Sequence, residues 1–203
     1  MDLSDRDHKR ILDFYQTAFS EHGESAKSLH WSSDYNQVRR FDILLSVMGN
    51  AEALKGHTIL DVGCGFGDLY AHMLSHGIRT DYTGIDIVPE FTDIARKRFP
   101  EAKFETANIL DFPGSFEIIL ASGAMSFKVE SNEQYYYEMI RTMYDHSMLA
   151  AAFNMLDRRT HADNNTYASY SPEAVVAYCS SFAPRVETAI GYIPDDFTVF
   201  LYK

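Results

Sequence analysis

The residues best suited to chemistry lie in the run Asp61-Val62-Gly63-Cys64-Gly65-Phe66-Gly67, where three alternate glycines follow an acid at the end of a short apolar stretch. Glycines let the backbone turn sharply there and let a ligand approach without a Cβ in the way. A helix opening at Asp68 adds free backbone N–H groups to the same corner. Nineteen residues after Gly67 comes Asp86, at the end of a second apolar stretch. A carboxylate in that place can accept hydrogen bonds from two ribose hydroxyls. Three alternate glycines alone say little. Strand, acid, glycines, helix and second acid in that order describe a nucleotide-type binding corner.

The elements that must position this corner are predicted from apolar spacing. Strands are expected at Thr58 to Val62, Asp81 to Ile87, Phe104 to Ala107, Phe116 to Ala121, Met148 to Met155, Arg185 to Ile190 and Phe197 to Tyr202. Helices are expected at Asp68 to Leu74, Pro89 to Phe99, Glu133 to Tyr144 and Pro172 to Phe182. Such a βαβα succession implies a mostly parallel sheet with helices on both faces and right-handed crossovers. The last two strands have no helix between them, so a short hairpin makes one of them antiparallel. Before Thr58 the pattern is helical. Ile11, Leu12, Phe14, Tyr15 and Phe19 draw one stripe along His8 to His22, and Val38, Phe41, Leu44, Leu45 and Met48 another along Gln37 to Met48. The fold class is therefore α/β, with residues 57–203 as the core and residues 1–56 as a helical cover belonging to the same domain.

These residues resemble the class I, Rossmann-like, S-adenosylmethionine-dependent methyltransferases, in a small bacterial-type form, over Thr58 to Lys203. The loop reads G-x-G-x-G, whereas the dinucleotide fingerprint G-x-G-x-x-G has one residue more before its last glycine. The resemblance implies a seven-stranded sheet whose last strand is antiparallel. It also implies S-adenosyl-L-methionine as cofactor and S-adenosyl-L-homocysteine as product. By the same resemblance Asp61 and Gly63 approach the methionine amine, and Cys64, Gly65 and Gly67 line the turn, where the small size of Cys64 is what matters. Asp86 holds the ribose and Ile87 packs on the adenine. Asn108 and Ile109 follow the third strand, where the family commonly has aspartate at the adenine edge; Asn108 keeps a hydrogen-bonding side chain without the charge. Ser122 and Gly123 occupy the segment facing the transferred methyl. The Asn/Asp-Pro-Pro-aromatic motif of enzymes that methylate base amines or glutamine amides is missing there.

Candidates outside the core fall in two places. The stretch Trp31 to Phe41 is rich in aromatic and hydrogen-bonding groups for a scaffold helix. Within it Tyr35 is a candidate catalytic residue that closes over the active site with Trp31, for which core packing is the alternative, and Arg40 either pairs with the cofactor carboxylate or lies solvated. The polar segment Asp157 to Tyr170 is long enough for a lid or substrate loop. His161 and Tyr167 in it are candidate catalytic groups, with imidazole the natural base near neutral pH, although a merely exposed histidine is the favoured reading of His161; Glu130, Tyr135, Asn154 and Tyr170 are further candidates near the expected mouth. Methyl transfer from a sulfonium needs orientation and desolvation, and a base only when the acceptor is a hydroxyl or a protonated amine.

Composition bounds the partners. The chain has 203 residues, 46% of them hydrophobic, enough for one core. A net charge of −11 repels phosphate backbones and anionic lipid, so neither nucleic acid nor membrane is expected as partner. Arg39-Arg40, Arg96-Lys97-Arg98 and Arg158-Arg159 are expected to be solvated faces. The polar opening residues and the lack of a spanning apolar run predict a cytoplasmic protein. Cys64 and Cys179 are expected to be buried free thiols, and no metal site is expected, because no His/Asp/Glu group shows ligand spacing. The leading expectation is a small-molecule acceptor with an O, N or C nucleophile. The alternatives are a protein or peptide side chain and a silent S-adenosylmethionine-binding module. Oligomeric state is not read from the sequence.

Overall fold

A computed structural model describes residues 3–25, 28 and 34–203. The elements, in chain order, are α1 (Asp5–His22), α2 (Asp34–Leu45), β1 (Thr58–Val62), α3 (Asp68–Ser75), β2 (Asp81–Asp86), α4 (Pro89–Arg98), β3 (Lys103–Thr106), β4 (Phe116–Ala121), α5 (Asn132–His146), β5 (Ser147–Leu156), α6 (Pro172–Ser180), β6 (Arg185–Ile190) and β7 (Asp196–Tyr202). Every strand and helix expected from apolar spacing is present. Short 3-10 turns at Ser46–Met48 and Ala51–Leu54 link α2 to β1. None of the described helices is long and apolar enough to cross a membrane.

The seven strands form one sheet in the order β3-β2-β1-β4-β5-β7-β6. β7 runs antiparallel to both β5 and β6, and all other pairings are parallel. The period-2 alternation of strands sorts side chains onto two faces. Leu60, Ile119, Ala151 and Phe153 face a core closed by Tyr136, Ile140 and Met143 of α5. Ile59, Ile118, Leu120 and Ala152 face a second core closed by Leu44 and Leu45 of α2 and Leu69 and Met73 of α3. Strand order reverses between β1 and β4, so a crevice opens beyond the carboxyl ends of those strands, where ligands of such sheets collect.

α1 lies over that crevice because its first turn is anchored. Ser4 caps it by accepting the Asp7 N–H at 3.1 Å. The buried Asp7 carboxylate then pairs with Arg10 at 2.9 Å and accepts the Glu130 N–H at 3.0 Å, tying the helix to the segment before α5.

Candidate active site

The loop after β1 is folded against the end of β2. Gly63 and Cys64 both donate their N–H to the Ile85 carbonyl, at 2.8 and 3.0 Å. The Gly65 N–H goes to Asp86 Oδ2 at 2.9 Å. Gly63 adopts φ +75°, and a Cβ there would stand 2.6 Å from the Ala124 Cβ, so the loops after β1 and β4 meet at this glycine. Gly67 ends the turn with φ +80° as the N-cap of α3; a Cβ on it would press on the Phe99 ring at 3.0 Å.

A cavity partly open to solvent occupies this corner. Its walls include Asp61, Gly63, Cys64, Gly65, Asp86, Ile87, Asn108, Ile109, Ser122 and Gly123. Gly67 is not in the wall, since it serves the turn rather than the cavity. Ile11 and Tyr15 of α1, Gln37 and Phe41 of α2 and Tyr135, Tyr136 and Met139 of α5 complete the enclosure. Of the three consecutive tyrosines, Tyr135 and Tyr136 reach this wall, while Tyr137 stacks on Tyr178 with ring centroids 4.3 Å apart.

Two carboxylates set the electrostatics. Asp61 is 1% exposed; its Oδ2 accepts the Tyr82 hydroxyl, and its Oδ1 has no partner. Burial pushes its carboxyl up to about 7, opposed by the Tyr82 hydrogen bond and reinforced by the neighbouring charge of Asp86. Asp86 accepts one backbone N–H on each oxygen, from Gly65 and from Val88 at 2.9 Å, and burial raises it to about 6. Each Asp86 oxygen keeps a further lone pair. Asn108 is already oriented: its Oδ1 accepts the Leu110 N–H at 3.2 Å and its Nδ2 donates to the Tyr135 hydroxyl at 3.1 Å, leaving that hydroxyl's proton to be given. Burial also lifts the Cys64 thiol well above its ordinary value, so it is an inert wall atom.

A second cavity adjoins the first and shares Tyr15 and Gly123 with it. Asn154 of β5 stands at this boundary, 2% exposed. Its Oδ1 accepts the Gly123 N–H at 2.8 Å, which fixes the amide so that Nδ2 is buried with no partner. His161 and Tyr167 also line this cavity, and His161 Nε2 is likewise buried without a partner. The segment carrying them is pinned: Asp157 N–H bonds the Asp195 carbonyl at 2.9 Å, and Ala168 N–H bonds the Ser126 carbonyl at 2.9 Å. Burial raises the Tyr167 phenol, which suits a hydrogen-bonding rather than a basic role.

Two expected positions are corrected. Arg40 is neither solvated nor in the first cavity: it is buried in the wall of the second, ion-paired with Asp196 at the start of β7. Burial raises the Asp196 carboxyl and Arg40 opposes the rise. Tyr35 is 67% exposed and lines neither cavity, because at 3.6 residues per turn it lies about 200° around α2 from Gln37, on the face opposite Gln37 and Phe41. Trp31 lies outside the described residues. Asn154, a candidate near the mouth from sequence, does line the second cavity, whereas Tyr15, a wall residue of both, is read from sequence only as part of an apolar stripe. The stripe containing Tyr15 has the same spacing whether it faces core or cavity.

Residues 59–146 match the methyltransferase-domain family. The chain is 35% identical over 98 residues to Rv1506c of Mycobacterium tuberculosis, a protein named as a methyltransferase; the match takes in 47% of this chain and 57% of that relative's length. Among solved structures, the fold is similar to magnesium protoporphyrin IX methyltransferase from Synechocystis PCC 6803 with bound S-adenosylmethionine, at TM-score 0.71 and 10% identity, covering 100% of both chains. It is also similar to the N-methyltransferase NodS from Bradyrhizobium japonicum WM9 in complex with S-adenosylhomocysteine, at TM-score 0.69 and 15% identity, covering 94% of this chain and 98% of that one. The methyltransferase-domain match over residues 59–146 and this strand order together show that the chain has the fold of solved S-adenosylmethionine-dependent methyltransferases and carries a match to a methyltransferase domain within it.

Proposed function

We propose that this chain transfers a methyl group from S-adenosylmethionine, held in the first cavity, to a small-molecule acceptor held in the second. The observation that carries this reading is the pairing of the cavities: they share Tyr15 and Gly123, and the second presents two buried polar atoms without partners, Asn154 Nδ2 and His161 Nε2. Buried polar atoms are ordinarily hydrogen-bonded, so such atoms in a cavity wall suit a ligand that completes them.

The cofactor, when bound, supplies a methyl group on a positively charged sulfur, open to displacement by a lone pair. In this chain the unpartnered Asp61 Oδ1 is the acceptor for its ammonium, and the Asp86 oxygens for its ribose hydroxyls. Ile87 and Ile109 flank the base, with Asn108 and Tyr135 at its polar edge. Asn154 Nδ2 donates to an oxygen of the acceptor, and His161 Nε2 takes the proton of a hydroxyl or ammonium nucleophile. The apolar ring of Tyr15 closes the boundary against water.

The net charge of −11 disfavours nucleic-acid and membrane partners and is consistent with a cytoplasmic enzyme. The Synechocystis protein, by its name, acts on a small molecule, magnesium protoporphyrin IX. Labelled S-adenosylmethionine incubated with the full chain and, separately, a metabolite fraction or a protein fraction tests the reading. Label is expected in the metabolite fraction. Label in protein alone would move the acceptor to a side chain, and binding without transfer to either would leave a cofactor-binding module.

A further inference from the structure

Outside both cavities, α3 carries His72 and, at its C-cap, His76, four residues apart and so on one helix face. α2 places Asp42 against them. One carboxylate oxygen of Asp42 and one nitrogen from each imidazole all lie within 4.8 Å of one another. His72 Nε2 is 2.9 Å from Asp42 Oδ1, and the two imidazole centroids are 4.4 Å apart. His76 Nδ1 lies 2.9 Å from the His72 carbonyl. A carbonyl only accepts, so Nδ1 carries the proton and the lone pair sits on Nε2. An outer hydrogen bond that fixes the tautomer in this way is what ligating histidines commonly have. The His72 ring packs on Phe41 and is mostly buried, so it is held, while the exposed His76 ring is held at Nδ1 by the His72 carbonyl and lies 3.1 Å from Ser75 Oγ.

We propose that Asp42, His72 and His76 form a site for a first-row divalent metal of the zinc type, with water completing the coordination. Two imidazoles and one carboxylate are a donor set suited to such ions, and histidines four apart on a helix are a recurrent way to present it. Around an ion with bonds of about 2.0–2.2 Å, tetrahedral ligand atoms stand roughly 3.3–3.6 Å apart, so closing from within 4.8 Å of one another asks only for small shifts of the exposed His76 and of Asp42. Arg39, whose Nη1 lies 3.5 Å from Asp42 Oδ2, is partly exposed and can turn to solvent when an ion binds. The site joins α2, which supplies Gln37 and Phe41 to the first cavity and Arg40 to the second, to α3, which starts directly from the glycine turn. A bound ion therefore clips the cover helix to the cofactor loop.

The test is calorimetric titration of the full chain with zinc chloride alone, on wild type and on His76→Ala, a change at an exposed position that leaves the cores intact. One saturable zinc site per chain is expected, weakened at least about tenfold by His76→Ala, with a zinc-dependent rise in melting temperature that the variant loses. No saturable binding in wild type, or binding that His76→Ala leaves within about threefold, overturns the proposal. Neither readout depends on methyl transfer.

Discussion

Gly123 gives its N–H to Asn154 Oδ1 at 2.8 Å, and this bond holds the loop after β4 against β5 where the two cavities meet. It also decides which end of the Asn154 amide is left for a ligand. Asp in place of Asn154 keeps an oxygen for Gly123 and removes the donor from the second cavity. We expect Asn154→Asp to weaken use of the acceptor by about tenfold or more, as loss of a buried donor costs roughly 1–3 kcal/mol. Affinity for S-adenosylhomocysteine should change little. Steady-state kinetics in the acceptor, beside calorimetry with S-adenosylhomocysteine, separates the two; equal losses in both would contradict the assignment.

We expect Asp61 and Asp86 to make cofactor binding depend on pH. Burial raises both carboxyls in the empty protein, to about 7 and about 6. The folded chain therefore holds these protons more tightly than the unfolded chain does. Their contribution to stability is most favourable in acid and declines as pH rises from the ordinary carboxylate range through about 7. An ammonium beside Asp61 favours the ionised form, so binding expels a proton and strengthens as pH rises through the same window. Affinity for S-adenosylhomocysteine should increase by about tenfold between about pH 5.5 and 7.5, and Asp61→Asn should flatten most of that slope. Calorimetry in buffers of different ionisation enthalpy would count the proton released.

Gly63 is the point where the loops after β1 and β4 touch. Ala there meets both a positive φ and the Ala124 Cβ at 2.6 Å. We expect Gly63→Ala to destabilise the protein by more than about 1 kcal/mol and to abolish measurable S-adenosylhomocysteine binding. Thermal melting with calorimetry reads both effects, and unchanged binding would mean that the loop has room the close approach denies.

Tyr15 and Tyr35 should behave oppositely although both are cover-helix tyrosines. Tyr15 stands in both cavity walls, edge-on to Phe91 with centroids 5.7 Å apart. Tyr15→Leu should lower kcat by about tenfold or more, because water enters the boundary and the acceptor loses its orientation. Tyr35→Ala should leave stability within about 0.5 kcal/mol and leave activity unaltered, as expected for an exposed side chain. Melting curves and initial rates of the two variants side by side make the comparison.

Much of the fold was legible because each element has a local signature. Ile59, Leu60 and Val62 alternate on a two-sided strand, Pro89 and Pro172 open helices, and the helix-free interval from Ile190 to Asp196 announces the terminal hairpin. The glycine turn was legible for the same reason: its residues are neighbours in sequence and touch one ligand corner. The second cavity was less so. Arg40 meets Asp196 across 156 residues, and Asn154 gains its orientation from Gly123, a partner 31 residues away. Such contacts leave no spacing to read. Apolar stripes likewise do not distinguish a core wall from a cavity wall, which is why Tyr15 passed as packing. His72 and His76 did carry a signal, two histidines four apart, but it needed Asp42 from another helix to become a ligand set.

The central claim is that the first cavity takes the cofactor and the second the acceptor. A crystal structure of the chain with S-adenosylhomocysteine tests it most directly. The account predicts the ligand's amino group within hydrogen-bonding distance of Asp61 Oδ1, its ribose hydroxyls on Asp86, and its sulfur facing the boundary formed by Tyr15 and Gly123, with the cavity of Asn154 and His161 left clear. S-adenosylhomocysteine lying among Asn154, His161 and Asp196, or bound without contact to Asp61, would contradict it.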